Sequence, residues 1–440
     1  MEDIKEHEII ESGKHLSSNA YSVIENVVGA DKYNDTPDDI KTLQCLGVKK
    51  ENGLYAGYYI GIDWIPDLKE TISIIPKIDN LDYFGMFISV LNCKDRKITE
   101  AISKIYYINF DDEYIQLQSN KFEITPFLIY HFVTATINAF KRGLKYNYAF
   151  EEDNLKSKIK GKILINQQIK YNYSRNRTDK NYCRYQTYSQ DCIENKLLKK
   201  ALVFSKRYLN NIKLKSSSAF EQMIDQCLSK LQNVSDSIDI RAVKQLRINP
   251  LYKHYSDSLR LAKYVLKRFG YDFTNTNDKI DTNVPPFWIN MPLLFEVYVY
   301  SKLLEQDPNI EYQANGRYGQ IDFLSKDKQL LIDTKYKPTY SNYKDEENCD
   351  DNDDTIVKGR YNIEDIRQLS GYSRDKALLK KLGINESDYD KTVPKCVVVY
   401  PLDHTVANQQ TKFDITNLCN ANEIKAFTNF YRVGILLPLK

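Results

Sequence analysis

Two short apolar segments, each carrying one acidic residue and separated by a polar turn, constrain this sequence more than any other feature. They lie in residues 316–337, GRYGQIDFLSKDKQLLIDTKYK, whose apolar and β-branched runs predict two antiparallel strands. The hairpin is expected to turn between Asp327 and Lys328. Asp322 on the first strand then stands opposite Asp333 on the second, with Cβ atoms about 5 Å apart. Two carboxylates at that distance repel each other, so the hairpin needs a compensating charge.

A hard divalent cation is the compensation that carboxylate oxygens favour, and Mg²⁺ is its usual identity where phosphates are handled. We therefore predict a metal site formed by Asp322, Asp333 and the backbone carbonyl of Thr334. Lys335 is two residues beyond Asp333, so both side chains emerge on one face of the strand, while Thr334 faces the other way. The Lys335 ammonium would polarise an attacking water and neutralise charge on a phosphate. The alternative is an exposed hairpin with an ordinary cross-strand ion pair, which the second acid and the apolar flanks disfavour.

Two later segments supply side chains that could complete this site. Glu296 lies in the first turns of a predicted helix, on the same face as Leu293 and Tyr300, where an unpaired carboxylate would be costly. It is a candidate metal or water ligand, although an interaction with the helix dipole explains it equally well. Gln368 and Tyr372 are one turn apart on a later predicted helix and could reach the site, although helix packing also accounts for them.

Composition is that of a folded globular protein with two or three domains. The chain has 440 residues, 42% hydrophobic and 28% charged, and no apolar run approaches the roughly 18 residues that a membrane span needs. The N-terminus lacks the apolar core of a signal peptide, so a cytoplasmic protein without membrane contact is expected. The eight cysteines form no CxxC pair, and the five histidines are far apart, which predicts reduced thiols and argues against structural zinc.

The charge of the chain is unevenly distributed. Residues 154–215 contain sixteen Lys/Arg and only three Asp/Glu, which predicts contact with a polyanion such as DNA. The candidate phosphate-binding residues are Arg175, Arg177, Lys180 and Arg184. The alternative is a lysine-rich helix face exposed to solvent. By contrast, residues 345–354 contain seven acids and are predicted to form a disordered loop.

We expect an α+β multidomain protein with three consecutive domains. Residues 1–150 are predicted to form a mixed α/β domain whose strands and helix lie at 58–66, 70–78, 104–110 and 125–144, with Thr125 as the N-cap of the helix. Residues 151–285 are predicted to form a basic helical connector with helices at 195–212, 218–231 and 256–270. Residues 286–440 are predicted to follow the order helix, hairpin, helix, strand, strand, which is typical of an α/β nuclease domain. Asn290 is expected to cap the first of these helices, and the second is expected to begin after Asn362 as a single helix.

At these residues the sequence resembles the PD-(D/E)xK nucleases. Asp322, Asp333 and Lys335 match the central pattern, with Glu296 and Gln368 in order around it. The proline that usually precedes the first acid is replaced here by Ile321. Several segments resemble, in the same order, those of McrC, the nuclease subunit of McrBC restriction systems: GKILINQQIKYNYSRN, YCRYQTYSQDCIENKLLKKAL, MPLLFEVYVYSKLL, IDTKYKP and DIRQLSGYS.

The resemblance implies a Mg²⁺-dependent DNA endonuclease that works with a separate AAA+ motor. In McrBC systems that motor hydrolyses GTP and recognises modified DNA, and the N-terminal part of McrC docks on it and stimulates hydrolysis. The present chain agrees, since it has no GxxxxGK[ST] loop for a nucleotide, and Gly13-Lys14 lacks the rest of that motif. Whether the partner would use GTP or ATP stays open. Two alternatives are a self-sufficient restriction or repair nuclease of the same fold and a motor-activating adaptor without catalysis.

Overall fold

The structure is a computed structural model. It describes residues 4–28, 45, 47–50, 53–91, 93, 96–110, 112–116, 124–211, 218–235, 250–268, 283–337, 363–402, 413–418, 423–424 and 426–439. The chain divides into unit 1, which combines Met1–Phe122 with Val284–Lys440, and unit 2, Glu123–Asn283. This division differs from the three consecutive domains expected from the sequence, because both ends of the chain contribute to unit 1. The acidic run at 345–354 lies outside the described residues.

The first segment of unit 1 is mixed α/β, as predicted. Its described elements are β1 (Ile4–Lys5), α1 (Ser18–Val28), β2 (Val48–Lys50), β3 (Leu54–Ala56), β4 (Tyr59–Trp64), β5 (Thr71–Ile75), α2 (Tyr83–Leu91), α3 (Arg96–Ile105), β6 (Tyr106–Ile108) and β7 (Ile115–Gln116). The three predicted strands are confirmed as β4, β5 and β6. Helices α1, α2 and α3 were not predicted.

Unit 2 contains four of the predicted helices and a β ribbon that the sequence did not suggest. Its described elements are α4 (Thr125–Lys141), β8 (Asn147–Lys156), β9 (Lys162–Ile163), α5 (Ile165–Tyr171), β10 (Lys180–Ser189), α6 (Ile193–Asn211), α7 (Ser218–Lys230) and α8 (Ser256–Arg268). Strands β8 and β10 pair antiparallel over ten residues. The expected domain boundary near residue 150 therefore falls inside a paired strand, and the connector, expected to be mainly helical, also contains strands β9 and β10.

The start of α4 corrects one predicted cap. Ile124 is the N-cap residue and makes no side-chain capping bond, whereas Thr125 already lies inside the helix. Pro126 occupies the first turn, where its missing N–H costs nothing. Gly143 follows the helix with φ +96°, a conformation that glycine adopts without strain. No helix within the described ranges is long and apolar enough to cross a membrane.

The second segment of unit 1 has the predicted order with four additions. Its described elements are β11 (Asn283–Val284, starting one residue before this segment), β12 (Phe287–Asn290), α9 (Met291–Leu304), β13 (Glu311–Asn315), β14 (Gln320–Ser325), β15 (Leu330–Thr334), α10 (Ile363–Tyr372), α11 (Lys376–Lys381), β16 (Lys395–Pro401) and β17 (Phe430–Ile435). Strands β11, β12 and β13 were not predicted. The single helix expected after Asn362 is two helices, because Asp375 accepts a hydrogen bond from the backbone N–H of Ala377 and starts α11 anew.

Strand β12 joins the two chain segments of unit 1 in one sheet. The strand order is β1-β5-β4-β12-β6, and β12 is antiparallel to both β4 and β6. Trp288 is buried in the same core as Ile72 and Ile74, and its indole N–H donates to the buried Asp63 at 3.1 Å. Gly61 pairs with Trp288, and a Cβ at Gly61 would collide with the backbone oxygen of Phe287. Asn290 then caps α9, as predicted, by accepting from Leu293 N at 3.1 Å.

A second sheet of unit 1 positions the acidic hairpin. Its order is β13-β14-β15-β16-β17, antiparallel from β13 to β15 and parallel from β15 to β17. One face packs on α10 and α11 through a core that includes Ile321, Leu331, Leu369 and Val398. Helix α10 thereby lies over β15, so its side chains are directed toward the end of the strand that carries Asp333 and Lys335.

Candidate active site

The hairpin of β14 and β15 has the predicted register. Its turn spans residues 326–329, and Phe323 pairs with Ile332. One residue further along this register, Asp322 stands opposite Asp333. The turn is thus centred between Asp327 and Lys328, as the sequence predicted. The hairpin brings together two carboxylates that are eleven residues apart in the chain.

Asp322 is fixed by the end of the neighbouring strand. Its Oδ2 accepts hydrogen bonds from the backbone N–H of Thr334 at 2.7 Å and from the Thr334 hydroxyl at 2.5 Å. The Thr334 side chain was expected on the opposite face, but β15 ends there and strict alternation ends with it. Burial, followed by the nearby Glu296 carboxylate, raises the pKa of Asp322 to about 7.

Asp333 is the more deeply buried of the two acids, with 4% of its surface exposed. Its Oδ2 lies 2.6 Å from Nζ of Lys335 and has no other hydrogen-bond partner among the described residues. Burial, followed by repulsion from Asp322, raises the pKa of Asp333 to about 7. A buried oxygen with an unsatisfied lone pair beside a second carboxylate is an arrangement that a bound cation would stabilise.

Lys335 is held by three groups from two elements. Besides Asp333, its Nζ lies 3.9 Å from Oδ1 of Asp365 and donates to Oε1 of Gln368 at 3.1 Å. Burial alone would lower the pKa of Lys335, but the neighbouring carboxylates, foremost Asp333, outweigh burial and raise it. The lysine is therefore a cation at neutral pH.

Helix α10 supplies one predicted and one unpredicted member of the site. Gln368 lies beside Lys335 as predicted, and its Nε2 donates to the hydroxyl of Tyr372 at 3.3 Å. Asp365 was not predicted. It is buried, and both its oxygens accept from Nζ of Lys337, at 3.0 and 3.1 Å. The spacing of three residues between Asp365 and Gln368 puts them on one helix face, a signal that the sequence did contain.

Glu296 lies near the two aspartates without joining them in a metal-binding group. Its Oε1 accepts from Nε2 of Gln313 at 3.2 Å. Burial raises the pKa of Glu296, and the Asp333 carboxylate adds to that increase. Within the described ranges, no three His, Cys, Asp or Glu side chains form a group that could hold a metal ion. The structure thus pairs Asp322 with Asp333, and Glu296 stays a predicted ligand.

Two carboxylates nevertheless match the donor set of Mg²⁺. This ion keeps several waters and is commonly held by one or two carboxylates together with substrate phosphates. Asp322 uses one oxygen on Thr334 and keeps the other, and Asp333 has the unsatisfied Oδ2. The residues present therefore fit such an ion, with the Thr334 carbonyl as the predicted third protein ligand.

A buried cluster that sequence spacing could not reveal holds the residue after Lys335. Tyr336 donates through its hydroxyl to Oε2 of Glu6 at 3.4 Å, and the same oxygen accepts from the backbone N–H of Lys77 at 3.1 Å. The Lys77 ammonium donates to the Tyr336 backbone oxygen and lies 3.7 Å from the centre of its ring. Burial raises the pKa of Glu6 and lowers that of Lys77. The N-terminal strand region of unit 1 is thus tied directly to the site.

The predicted DNA-binding residues all lie in unit 2. Arg175 ends a 3₁₀ turn, Tyr173–Arg175, and Arg177 follows it, both exposed. Lys180 begins β10, and Arg184 lies within that strand. The sequence suggested that these residues have almost no acidic partners, which is wrong for Arg184. Strand pairing puts it opposite Glu152, with Nε 3.9 Å from Oε1 of that glutamate, and its guanidinium lies over the Phe150 ring at 4.4 Å.

The fold and the site define a mixed α/β protein that carries two facing buried carboxylates and a charged lysine at the end of a sheet. Residues 54–374 match the family model described as McrBC 5-methylcytosine restriction system component. The chain belongs to the McrBC family.

Solved structures were also compared with the chain. One is a half-complex from a tetradecameric assembly of Thermococcus gammatolerans McrB AAA+ hexamers with bound McrC, at 13% identity and a TM-score of 0.34, covering 99% of this chain and 94% of that one. Another is the Thermococcus gammatolerans McrBC complex, at 14% identity and a TM-score of 0.28, covering 69% of this chain and 86% of that one. No curated protein matches the sequence significantly. Because both TM-scores are below 0.5, family membership rests on the family model.

Proposed function

We propose that this protein is the McrC-like, DNA-cleaving subunit of an McrBC-type restriction system, a Mg²⁺-dependent endonuclease of the PD-(D/E)xK fold that acts in the cytoplasm. The observation that carries the proposal is Asp322 facing Asp333 across a hairpin, with Lys335 at 2.6 Å from Asp333. Membership of a family of 5-methylcytosine restriction components supports double-stranded, modified DNA as the substrate.

The residues have separate roles in the proposed reaction. Asp322, Asp333 and the Thr334 carbonyl would hold Mg²⁺, which would lower the pKa of a water and neutralise charge on the phosphate. Lys335, whose pKa is raised, keeps its proton and stabilises the negative charge that develops on the scissile phosphate. Gln368 orients the Lys335 ammonium by accepting from Nζ at 3.1 Å.

The proposed partner is a separate McrB-like AAA+ NTPase. The chain has no phosphate-binding GxxxxGK[ST] loop, so NTP-driven movement along DNA requires another subunit. The N-terminal part of unit 1, which carries no comparable acid and lysine set among its described residues, is the region we propose for docking on that motor and stimulating its hydrolysis.

The test replaces single residues in the full chain and measures cleavage of modified plasmid DNA with Mg²⁺, NTP and the cognate motor. Asp333→Asn and Lys335→Ala should each lower the cleavage rate by about 100-fold or more, because the first weakens binding of the metal and the second removes the cation that stabilises the phosphate. Asp327→Asn is the matched control, since Asp327 lies in the exposed turn of the same hairpin. The Asp333→Asn chain should still stimulate NTP hydrolysis by the motor.

Three results would contradict parts of this proposal. Near-normal cleavage by either site variant would refute the site. Cleavage by the purified parent chain without a motor would favour a self-sufficient nuclease. Absence of cleavage by the parent chain, together with full stimulation of the motor by every variant, would favour an adaptor.

A further inference from the structure

A groove of about 560 Å³ opens next to the candidate active site, within unit 1. It lies between the turn that joins β13 to β14 and the junction of α10 with α11. Its lining is mainly basic and aromatic and includes Arg317, Tyr318, Arg367, Gln368, Tyr372 and Arg374. The metal-site acids Asp322 and Asp333 are not part of this lining, so the groove is a separate feature.

The turn on one side of the groove is held firmly against the helices. Gly316 N donates to Gly319 O at 2.8 Å, and Arg317 N donates to Oδ2 of Asp375 at 2.6 Å. A Cβ at Gly319 would lie 3.1 Å from the Tyr372 ring, so the glycine allows close packing there. Tyr318 at the tip is nevertheless 91% exposed. A fixed turn therefore presents an aromatic ring to solvent beside the groove.

The charge of the groove is strongly positive. Three arginines and Lys376 line it, against one carboxylate, Asp375. That carboxylate is already engaged, because Arg317 N and Ala377 N each donate to one of its oxygens. Where the structure describes the chain, Arg367 and Arg374 form no ion pair. An anionic ligand in the groove would thus meet four cationic side chains and a single carboxylate.

Gln368 connects the groove to the cleavage centre. It accepts from Nζ of Lys335 at 3.1 Å and donates to the hydroxyl of Tyr372 at 3.3 Å. A ligand in the groove therefore contacts residues one hydrogen bond away from the proposed catalytic lysine. The groove and the cleavage centre are therefore close enough to bind the same nucleic-acid strand.

We infer that the groove binds an unpaired nucleotide of the DNA strand next to the scissile phosphate, with its phosphate on Arg367 and Arg374 and its base stacked on Tyr318. The inference rests on the proposed function and specifies part of the substrate. An unpaired base is favoured because its face is free to stack on an exposed aromatic ring, whereas a base inside a duplex is already covered on both faces. Phosphate contacts alone would need no exposed tyrosine.

The test measures binding, with full chains that also carry Asp333→Asn. Fluorescence anisotropy compares a labelled blunt duplex with the same duplex bearing a single-stranded overhang. The parent should prefer the overhang, Tyr318→Ala should lower affinity for it about 10-fold, and Tyr318→Phe should keep the preference. Arg367→Ala and Arg374→Ala should each reduce the log–log salt dependence by about one unit. Tyr148→Ala is the control, because it makes the same substitution at an exposed ring of unit 2. It should leave the preference for the overhang unchanged.

Equal affinities of the Tyr318→Ala and parent chains for the overhang would overturn the inference. An equal loss for blunt and overhang duplexes would also overturn it, because the ring would then contact duplex DNA. The chain without the Asp333→Asn change could also fail to cleave DNA in the presence of the motor while the binding results are as expected. That outcome would refute the nuclease proposal and leave the nucleotide site standing. If the chain without Asp333→Asn cleaves DNA but Tyr318→Ala has no effect on binding of the overhang, only the nucleotide site is refuted.

Discussion

At the scale of single residues, burial governs the charge of Asp322 and Asp333. Each has a pKa raised to about 7, mainly because burial penalises the charged form. In the unfolded chain both acids lose their protons near pH 4. Between about pH 4 and 7 the folded protein therefore binds more protons than the unfolded one, and its stability falls as the pH rises through that window.

Asp333→Asn should make the protein more stable at alkaline pH. The amide cannot ionise, so the melting temperature should exceed that of the parent by roughly 2–5 °C at pH 8, with the difference shrinking toward pH 4. The measurement is thermal unfolding from pH 5 to 8 without divalent ions. Addition of Mg²⁺ at pH 8 should raise the melting temperature of the parent and not of the variant. An offset that is independent of pH would contradict the assigned pKa of Asp333, and Asp327→Asn serves as the control.

Glu6→Ala should weaken both the fold and the site. The change leaves the buried Lys77 N–H and the Tyr336 hydroxyl without their acceptor, which costs about 1–3 kcal/mol, and it loosens the residue after Lys335. We expect a lower melting temperature and slower cleavage than for Glu11→Ala, an exposed glutamate of the same segment. If the two variants have the same melting temperature and rate, Glu6 does not hold Tyr336.

At the scale of elements, the β8–β10 ribbon changes which basic residues of the segment 154–215 have acidic neighbours. The count of charges along residues 154–215 omitted the acids at 151–153, which pairing brings opposite residues 183–185. Arg184 is partly neutralised by Glu152, whereas Arg175 and Arg177 lie outside the paired strands. Of the four candidate DNA-binding residues, Arg184 therefore has less unpaired charge than Arg175 and Arg177.

Arg175→Ala with Arg177→Ala should reduce the salt dependence of DNA affinity by about two log–log units, and Arg184→Ala should reduce it by less than one. The reason is that only the first two arginines have charge free for phosphates. Binding titrations over a range of salt concentrations provide the measurement, with Lys391→Ala, an exposed lysine of unit 1, as the control. A dominant effect of Arg184 would mean that the ribbon itself contacts DNA.

Local patterns predicted the elements whose partners are close in the sequence. The hairpin with Asp322 and Asp333, the cap at Asn290 and the helices of unit 2 follow from alternation, helical spacing and turn residues. Strand β13, EYQAN, was missed because it is short and polar, and the ribbon because β8 is almost entirely exposed. The Glu6 cluster could not be predicted for another reason. Glu6 and Tyr336 are 71 and 259 residues from Lys77 in the sequence, and no local pattern encodes such contacts.

At the scale of the whole molecule, unit 1 is formed by two segments separated by all of unit 2. The first sheet needs β12, because this strand alone joins β4 to β6 within the described part of it. A fragment that stops shortly after residue 150 would contain β4 and β6 without the strand between them. Docking on the motor is therefore better tested with the full Asp333→Asn chain than with an N-terminal fragment.

A chain ending at Glu152 should fail to unfold cooperatively, because it lacks β12, the strand between β4 and β6, and because Trp288 is missing from its core. A chain in which residues 123–283 are replaced by a flexible linker keeps both segments of unit 1 and should unfold in one sharp transition. Near-UV circular dichroism during heating distinguishes the two. A sharp transition of the fragment ending at Glu152 would show that the N-terminal strands fold without β12.

The position of β12 in the chain also determines when the first sheet can be completed during synthesis on the ribosome. Strands β4 and β6 leave the exit tunnel early, but the strand that joins them follows only after unit 2 has been made. At typical rates of translation this delay is roughly 10–30 s. Throughout that interval the nascent N-terminal strands expose unpaired edges, which favour aggregation. Production of this protein should therefore depend on chaperones that bind nascent chains, although in the finished sheet β12 pairs with both β4 and β6.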